Sequence, residues 1–514
     1  MKNTTLISIV LTSLILLSCN NKPKETQKLQ NTKITHKSKP NIILLYIDDL
    51  GYADVGCYGA IGVKTPNVDK LAENGLKFTD AHSSAATCTP SRYSLLTGNY
   101  AFRNNAAILP GDAPLLIDPK KPTLPKMLKT AGYTTGVVGK WHLGLGLGQV
   151  DWNTKISPGA NETGFDYSFL LPATGDRVPT VFVENGSVVN LSPDDPIVVS
   201  YKNKVGNRPT GTEHPELLKM KADLQHSQTI VNGISRIGYM GGGKNAEWVD
   251  EDFPYVFTGK AKKFIEDNKE NPFFLYFSFH DIHVPRSPNA NFKGKSSMGP
   301  RGDAIVQMDY VVGEVIKELK KLDIEDNTLV IFTSDNGPIL DDGYFDMAEE
   351  MVGDHKPAGP FRGAKYSIYE AGTRVPTIVY WPGTVVPRES NAMLNQLDLY
   401  ATLANLTGAK VSKDVIDSKN ELDAWLGKTD NGRKTMLEEG FTLAIRDGNW
   451  KYIEPLNGKP IPDWMANKNI EPGLMEIPQL YNLENDISEQ KNLSETYPEK
   501  VLELQEKMKK IVNQ

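Results

Sequence analysis

Four short runs along the chain are apolar at nearly every position: Asn41–Ile47, Thr134–Val138, Pro272–Phe279 and Leu329–Thr333. A strand with one wet face alternates apolar and polar residues. Continuous runs predict strands buried on both faces, as in parallel sheets. Between them, apolar positions recur at helical spacing over Thr123–Thr130, Gly259–Asn268 and Asp303–Leu322. This alternation of strand and helix predicts an α/β fold: a large, mostly parallel sheet with helices on both faces. From Asp151 to Asp252 the period is lost and Gly, Pro and Asn are frequent. That stretch reads as long insertions over the sheet edge, where substrate loops commonly lie. Near the C-terminus, Phe441–Ile445, a turn over Arg446–Asn449 and Trp450–Ile453 form a hairpin pattern, and an amphipathic helix follows over Pro498–Val512. A smaller α+β subdomain with an antiparallel sheet is expected there.

The N-terminus does not fit this pattern. Lys2 precedes an apolar run from Leu6 to Leu17, then Ser18 and Cys19. A charged start and a run too short to span a bilayer comfortably read as a secretory signal. Leu16-Leu17-Ser18-Cys19 resembles a bacterial lipobox, in which the cysteine is acylated and becomes the mature N-terminus. The polar residues after it have nothing to bury and read as a tether. The expected layout is therefore a signal peptide over 1–18, a tether over 19–39 with lipid on Cys19, a main domain over 40–408 and the subdomain over 409–514. Such a protein is exported to the periplasm or cell envelope and anchored by lipid.

Composition adds exclusions. The 514 residues carry a net charge of −6 without a long basic block, so no nucleic-acid surface is expected and any anion site must be a local cluster. Three cysteines give no disulfide framework. If Cys19 carries lipid, a Cys57–Cys88 bridge is the structural alternative to a chemical role for Cys88.

Polar clusters fall at the ends of the apolar runs. The first run ends in Asp48-Asp49, the second in Gly139-Lys140-Trp141-His142, the third in His280-Asp281-Ile282-His283 and the fourth in Asp335-Asn336. Ligands bind outside the carboxyl ends of strands in open α/β sheets, so one crevice would gather all four. A lone Asp after a strand is usually a turn or a cap, but four clusters together are not explained that way. Asp48, Asp49, Asp335 and Asn336 offer only oxygen, which suits Ca²⁺ or Mg²⁺ rather than zinc. Their mutual repulsion is itself a reason to expect a cation. Separately, Cys88-Thr89-Pro90-Ser91-Arg92 reads as a helix start, with Thr89 as cap and Pro90 as the first helical residue. Free N–H groups there favour an anion, and Arg92 can point to the same spot.

The run Cys88–Gly98 resembles the signature of type I sulfatases in the alkaline-phosphatase-like superfamily, Cys-x-Pro-x-Arg followed by Leu-Thr-Gly. Gly132–His142, Arg362–Lys365 with Tyr369–Pro376, and Leu480–Leu493 are similar to further stretches of that family. The resemblance implies that Cys88 is oxidised by a maturase to formylglycine (3-oxoalanine), whose hydrate attacks sulfur and then expels sulfate. It implies one Ca²⁺ on Asp48, Asp49, Asp335 and Asn336, with the modified Cys88 completing the shell. Asp335 would help to deprotonate the attacking hydroxyl, and Arg92 would hold the modified residue. Lys140, His283 and Lys365 would grip the sulfate, with His283 or Lys365 as general acid. His142 would help the second step. His283 is preferred over His280 for its His-x-Pro context, while His82 and His226 have none and read as structural. His355 and Arg362 are expected to border the pocket, with His355 on sugar hydroxyls.

The expected function is hydrolysis of sulfate esters on a sulfated carbohydrate, from an algal polymer such as ulvan or carrageenan or from a glycosaminoglycan. A phosphomonoester or phosphonate hydrolase is the alternative within the superfamily. A dead binding protein that holds sulfated glycans, with Cys88 unmodified, is the alternative outside enzymes.

Overall fold

The computed structural model describes residues 39–514 apart from 459, 462, 467 and 469. The expected signal peptide, Cys19 and all of the tether but its last residue lie outside the described residues. The described residues form one compact unit. Among the described residues, no helix is long and apolar enough to cross a membrane.

The main sheet is built from β1 (Asn41–Ile47), β2 (Leu76–Phe78), β3 (Thr134–Lys140), β4 (Tyr167–Leu171), β5 (Val183–Glu184), β6 (Ser187–Val188), β7 (Phe273–Ser278), β8 (Thr328–Ser334), β9 (Thr377–Tyr380) and β10 (Arg388–Ser390). Their order across the sheet is β10-β2-β9-β8-β1-β7-β3-β4-β5-β6. The central strands β8, β1, β7, β3 and β4 run parallel, and β9 and β5 pair with them antiparallel. Every residue of β1, β7 and β8 is buried, as their continuous apolar runs require. Alternate side chains go to opposite faces. Ile42, Leu44 and Tyr46 meet α1 (Cys88–Thr97) and α2 (Leu124–Thr130) on one face. Ile43, Leu45 and Ile47 meet α3 (Phe253–Asn268) and α4 (Gly299–Lys321) on the other.

Two helices start earlier than their pattern predicts. α3 begins at Phe253 and α4 at Gly299, each with proline in the first turn, where a missing N–H costs no helical bond. The helix at Cys88 also differs from expectation. Its cap is Thr87, so Cys88 itself is the first helical residue. Thr89 does not cap it, and its hydroxyl donates to the His142 carbonyl instead, at 3.1 Å. Pro90 is then the third helical residue, still among the four whose N–H groups have no helical acceptor.

The C-terminal sheet has four antiparallel strands: β11 (Thr435–Glu439), β12 (Leu443–Asp447), β13 (Trp450–Ile453) and β14 (Gln479–Asn482). The turn between β12 and β13 is Gly448-Asn449, tighter than the four-residue turn expected. Helix α5 (Pro498–Val512) lays Val501, Leu504 and Met508 on one face of this sheet, against Leu437, Ile445, Tyr452 and Leu480.

Candidate active site

The register of the central strands decides where the polar clusters stand. Tyr46 of β1 pairs with Ser278 of β7, Ile47 with Ser334 of β8, and Ser278 with Gly139 of β3. All four runs therefore end level, and neighbouring strands are only about 4.8 Å apart. Asp48 and Asp49, Lys140, His280 and His283, and Asp335 and Asn336 meet at that edge. Gly139 lies at φ 106°, and a side chain there would strike the Ser278 carbonyl. Asp49 and His142 also adopt positive φ, 58° and 52°. Non-glycine residues rarely hold that geometry except where surrounding structure imposes it, which happens often at functional sites.

Asp48, Asp49, Asp335 and Asn336 are all fully buried. One ligand atom each from Asp48, Cys88 and Asp335 lies within 4.8 Å of the others. Burial and the neighbouring Asp48 charge push the Asp335 carboxyl up to about 7, although Arg92 opposes this. Burial also raises Asp49, with Lys365 opposing. Asp48 stays low: burial alone would raise it, but Lys140 more than offsets that. Asn336 donates to Asp49 Oδ1 at 2.8 Å, while its own Oδ1 is buried without a partner. Packed carboxylates and an unpaired amide oxygen form a hard-oxygen donor set that fits a cation such as Ca²⁺.

Positive groups surround the cluster. Lys140 Nζ donates to both Asp48 oxygens at 2.7 Å. Lys365 Nζ bridges Asp49 Oδ2 at 2.8 Å and Asp342 Oδ2 at 2.9 Å. Burial would lower the Lys365 ammonium, but Asp342 and Asp49 hold it well above the usual lysine value. Arg92, one turn into α1 and fully buried, clamps Asp335 Oδ2 at 2.7 and 3.0 Å and donates to Ser278 Oγ. Cys88 is 3% exposed, and burial pushes its thiol up to about 12 despite Lys140 and Lys365. At neutral pH it is a thiol rather than a thiolate, and so a poor nucleophile as it stands.

His142 and His283 are neutral. Burial, then Lys140 and Arg177, lower His142; its Nε2 donates to the Leu109 carbonyl at 2.9 Å, leaving Nδ1 without a partner. Burial and Lys365 lower His283, whose Nδ1 donates to the Val284 carbonyl at 2.7 Å. Its Nε2 is 3.8 Å from Asp49. His283 lines the cavity. His280 sits behind it, with Nδ1 3.3 Å from Asp48 and Nε2 accepting from Gly175 N–H.

A cavity of about 300 Å³ opens over Cys88, lined also by His142, His283, Lys365, Asp176, Arg177, His226 and Asp342. Two expected lining residues are elsewhere. His355 is 4% exposed and bonds Asp54 at 2.9 Å, and Asp54 in turn is paired with Arg301. It fixes the loop after β1 and does not meet the cavity. Arg362 turns outward to Glu471 and the Glu489 carbonyl and stacks on Tyr369. Conversely His226, expected to be structural, lines the cavity, as do Asp176, Arg177, Tyr201, Asp342 and Lys468. Most of these come from the aperiodic insertion, whose sequence offers no register from which to place them. Asp342 alone stood in a stretch adjoining a recognisable motif.

The family model described as Sulfatase matches residues 40–409. The chain is 49% identical to an N-acetylgalactosamine-6-O-sulfatase of Bacteroides thetaiotaomicron, over 99% of each chain. It is 30% identical to human arylsulfatase A over 88% of this chain and 83% of that one. A solved structure bearing on the metabolism of multiple glycosaminoglycans by Bacteroides thetaiotaomicron matches with a TM-score of 0.91 and 50% identity, covering 93% of this chain and 100% of that one. The charged edge of the sheet and these matches lead to one statement: the chain belongs to the sulfatase family, and it is a sulfuric ester hydrolase.

Proposed function

We propose that this sulfatase removes the 6-O-sulfate from N-acetylgalactosamine units of glycosaminoglycan fragments, using an oxidised Cys88 and a calcium ion. The sugar is inferred from the likeness to the Bacteroides thetaiotaomicron enzyme at 49% identity. The observation that carries the chemistry is Cys88 at the first turn of a buried helix, beside a carboxylate cluster and facing Lys365, His142 and His283 across one cavity.

Once Cys88 is converted to formylglycine by a maturase, its hydrated aldehyde supplies the attacking hydroxyl and a second hydroxyl that lets sulfate leave, neither of which a thiol provides. Asp48, Asp49, Asp335, Asn336 and the modified residue 88 would hold calcium, which would supply a Lewis acid for the sulfate oxygens. The remaining steps belong to this chain's side chains. Arg92 fixes Asp335 and steadies position 88. Asp335, clamped by Arg92 and beside Cys88, is placed to accept the proton of the attacking hydroxyl. Lys140 and Lys365 bind the sulfate oxygens, and His283 joins them through Nε2 once the arriving anion favours its protonated form. Lys365 keeps its proton at neutral pH and delivers it to the departing sugar oxygen. His142, neutral with a free Nδ1, accepts the proton released as sulfate leaves. The leader is proposed to export the chain to the periplasm or cell envelope and to anchor it by lipid on Cys19.

Co-expression with a maturase, peptide mass spectrometry at Cys88 and sulfate release from N-acetylgalactosamine 6-sulfate test this reading. Conversion of Cys88 and preference for sulfate over phosphate monoesters are expected. An unmodified thiol in fully active enzyme, or faster turnover of phosphate monoesters, rejects it.

A further inference from the structure

The cavity over Cys88 carries positive groups that the reaction does not use. Lys365 is matched by Asp49 and Asp342, and Tyr366 also donates to Asp342. The lining further holds Arg177, His226 and Lys468. Asp176, in the same lining, takes Arg177 on both oxygens at 2.8 Å. The other carboxylate near them, Asp223, stands outside the lining. Its Oδ1 lies 2.7 Å from His226 Nδ1 and accepts the His226 backbone N–H at 3.0 Å. Burial alone would lower His226, but Asp176 and Asp223 hold it above the usual histidine value, so it counts among the cations. Three positive groups therefore share two carboxylates, and Lys468 is the one left over. Its Nζ is 3.0 Å from Asp223 Oδ2, yet it makes no hydrogen bond there or elsewhere among the described residues. The Lys468 side chain is only 7% exposed.

We propose that Lys468, beside His226 and Arg177, is a second anion subsite, which takes a carboxylate or a further sulfate carried by the same glycan fragment. The enzyme then favours a sugar with a second anionic group over the same sugar with one. The proposal rests on the sugar-sulfatase reading given above. A lysine ammonium has three N–H donors and no acceptor. Buried with none of them engaged, it bears an uncompensated desolvation cost. An anionic oxygen from the substrate would supply both the acceptor and the missing charge, and such charge-assisted bonds are the strong ones. A neutral hydroxyl could accept from Lys468 too, but it would leave the excess charge in place. Cys88 and Lys468 line one cavity of about 300 Å³, so one ligand can meet both. The chemistry is shared by two sources: the carboxylate of a uronate joined to the reacting sugar, and a second sulfate on that sugar.

The test measures kcat/KM of matured enzyme on N-acetylgalactosamine 6-sulfate, on its 4,6-disulfate, and on the 6-sulfate joined to a uronate or to a neutral hexose. At least one doubly charged sugar is expected to exceed the 6-sulfate by about 10-fold or more. A gain with the disulfate identifies sulfate as the ligand, and a gain with the uronate but not the hexose identifies the carboxylate. Lys468→Met should shrink the gain to about twofold or less. Asp223→Asn, which withdraws the carboxylate facing Lys468, should enlarge it, a change that a damaged fold cannot produce. Equal values for singly and doubly charged sugars overturn the proposal, as does a gain that survives Lys468→Met or that the neutral hexose matches. Should Lys468→Met fail to fold, Asp223→Asn decides, and an unmoved or reduced gain overturns the proposal. If no sugar is cleaved while an aryl sulfate is, the sugar reading falls and this inference with it; if all are cleaved equally, only this inference falls.

Discussion

At the scale of single residues, the site assigns different work to groups of the same type. Lys140 and Lys365 both touch aspartates, but only Lys365 is braced by Asp342, a residue outside the carboxylate cluster. Lys365→Met is expected to lower kcat on a sugar sulfate by about 10²- to 10⁴-fold, the usual contribution of a proton donor. It should cost markedly less on an activated aryl sulfate, whose leaving group needs no proton. Steady-state kinetics on both esters decides this, and equal losses would make Lys365 a binding residue only. What the sequence revealed here follows from how the side chains are delivered. Asp48, Asp49, Lys140, His283, Asp335 and Asn336 follow strands whose apolar runs announce themselves, and their position is set by register. His355, Arg362 and His226 sit on loops, where neighbouring residues in sequence say little about direction. Two were expected in the cavity and lie outside it, and the third was expected outside and lines it.

Among the elements, the long buried strands and the amphipathic C-terminal helix were legible because a period holds over several turns or residues. The short strands β2, β9 and β10 were not, since three or four residues cannot display a period, and it is pairing that makes them strands. The insertion between Asp151 and Asp252 was legible only as an insertion. Helix α5 offers a test of how tightly the C-terminal sheet is held. Leu504 is fully buried against β11, β12, β13 and β14. Leu504→Ala should destabilise the protein by about 2–5 kcal/mol, read as a lowered denaturation midpoint. Activity of the still-folded fraction should be unchanged, because α5 contributes nothing to the cavity lining. A loss of specific activity without a loss of stability would contradict this assignment.

On the scale of the whole molecule, a second buried set of charges ties the C-terminal sheet to the main one. His82 Nε2 lies 2.8 Å from Asp80 and Nδ1 3.0 Å from Glu438 of β11. Lys451 of β13 meets Glu370 at 3.1 Å and Glu438 at 2.9 Å. Burial would lower His82, but Asp80 and Glu438 hold it above the usual histidine value. A histidine raised in this way stabilises the fold fully below its unfolded value, and that contribution is lost as pH rises through the folded value. The melting temperature should therefore fall as pH climbs above about 6.5, and His82→Gln should flatten that dependence. A wild-type profile unaffected by the substitution would show that His82 is not charged. The metal reading makes a separate claim about the folded state. Calcium at about 100 times its Kd should add roughly 2.7 kcal/mol to stability, visible as a rise in Tm that a chelator reverses and Asp49→Ala abolishes. No shift with calcium would remove the cation from the scheme.

The level endings of β1, β3, β7 and β8 have one more consequence. Asp48, Asp49, Lys140, Asp335 and Asn336 hang from a hydrogen-bonded ladder that cannot shift one member without unpairing its neighbours, whereas Asp176, Arg177, His226 and Lys468 come from connections that bear no such constraint. Descendants of this chain can thus exchange appetites by rewriting loops while the engine of bond cleavage is inherited intact.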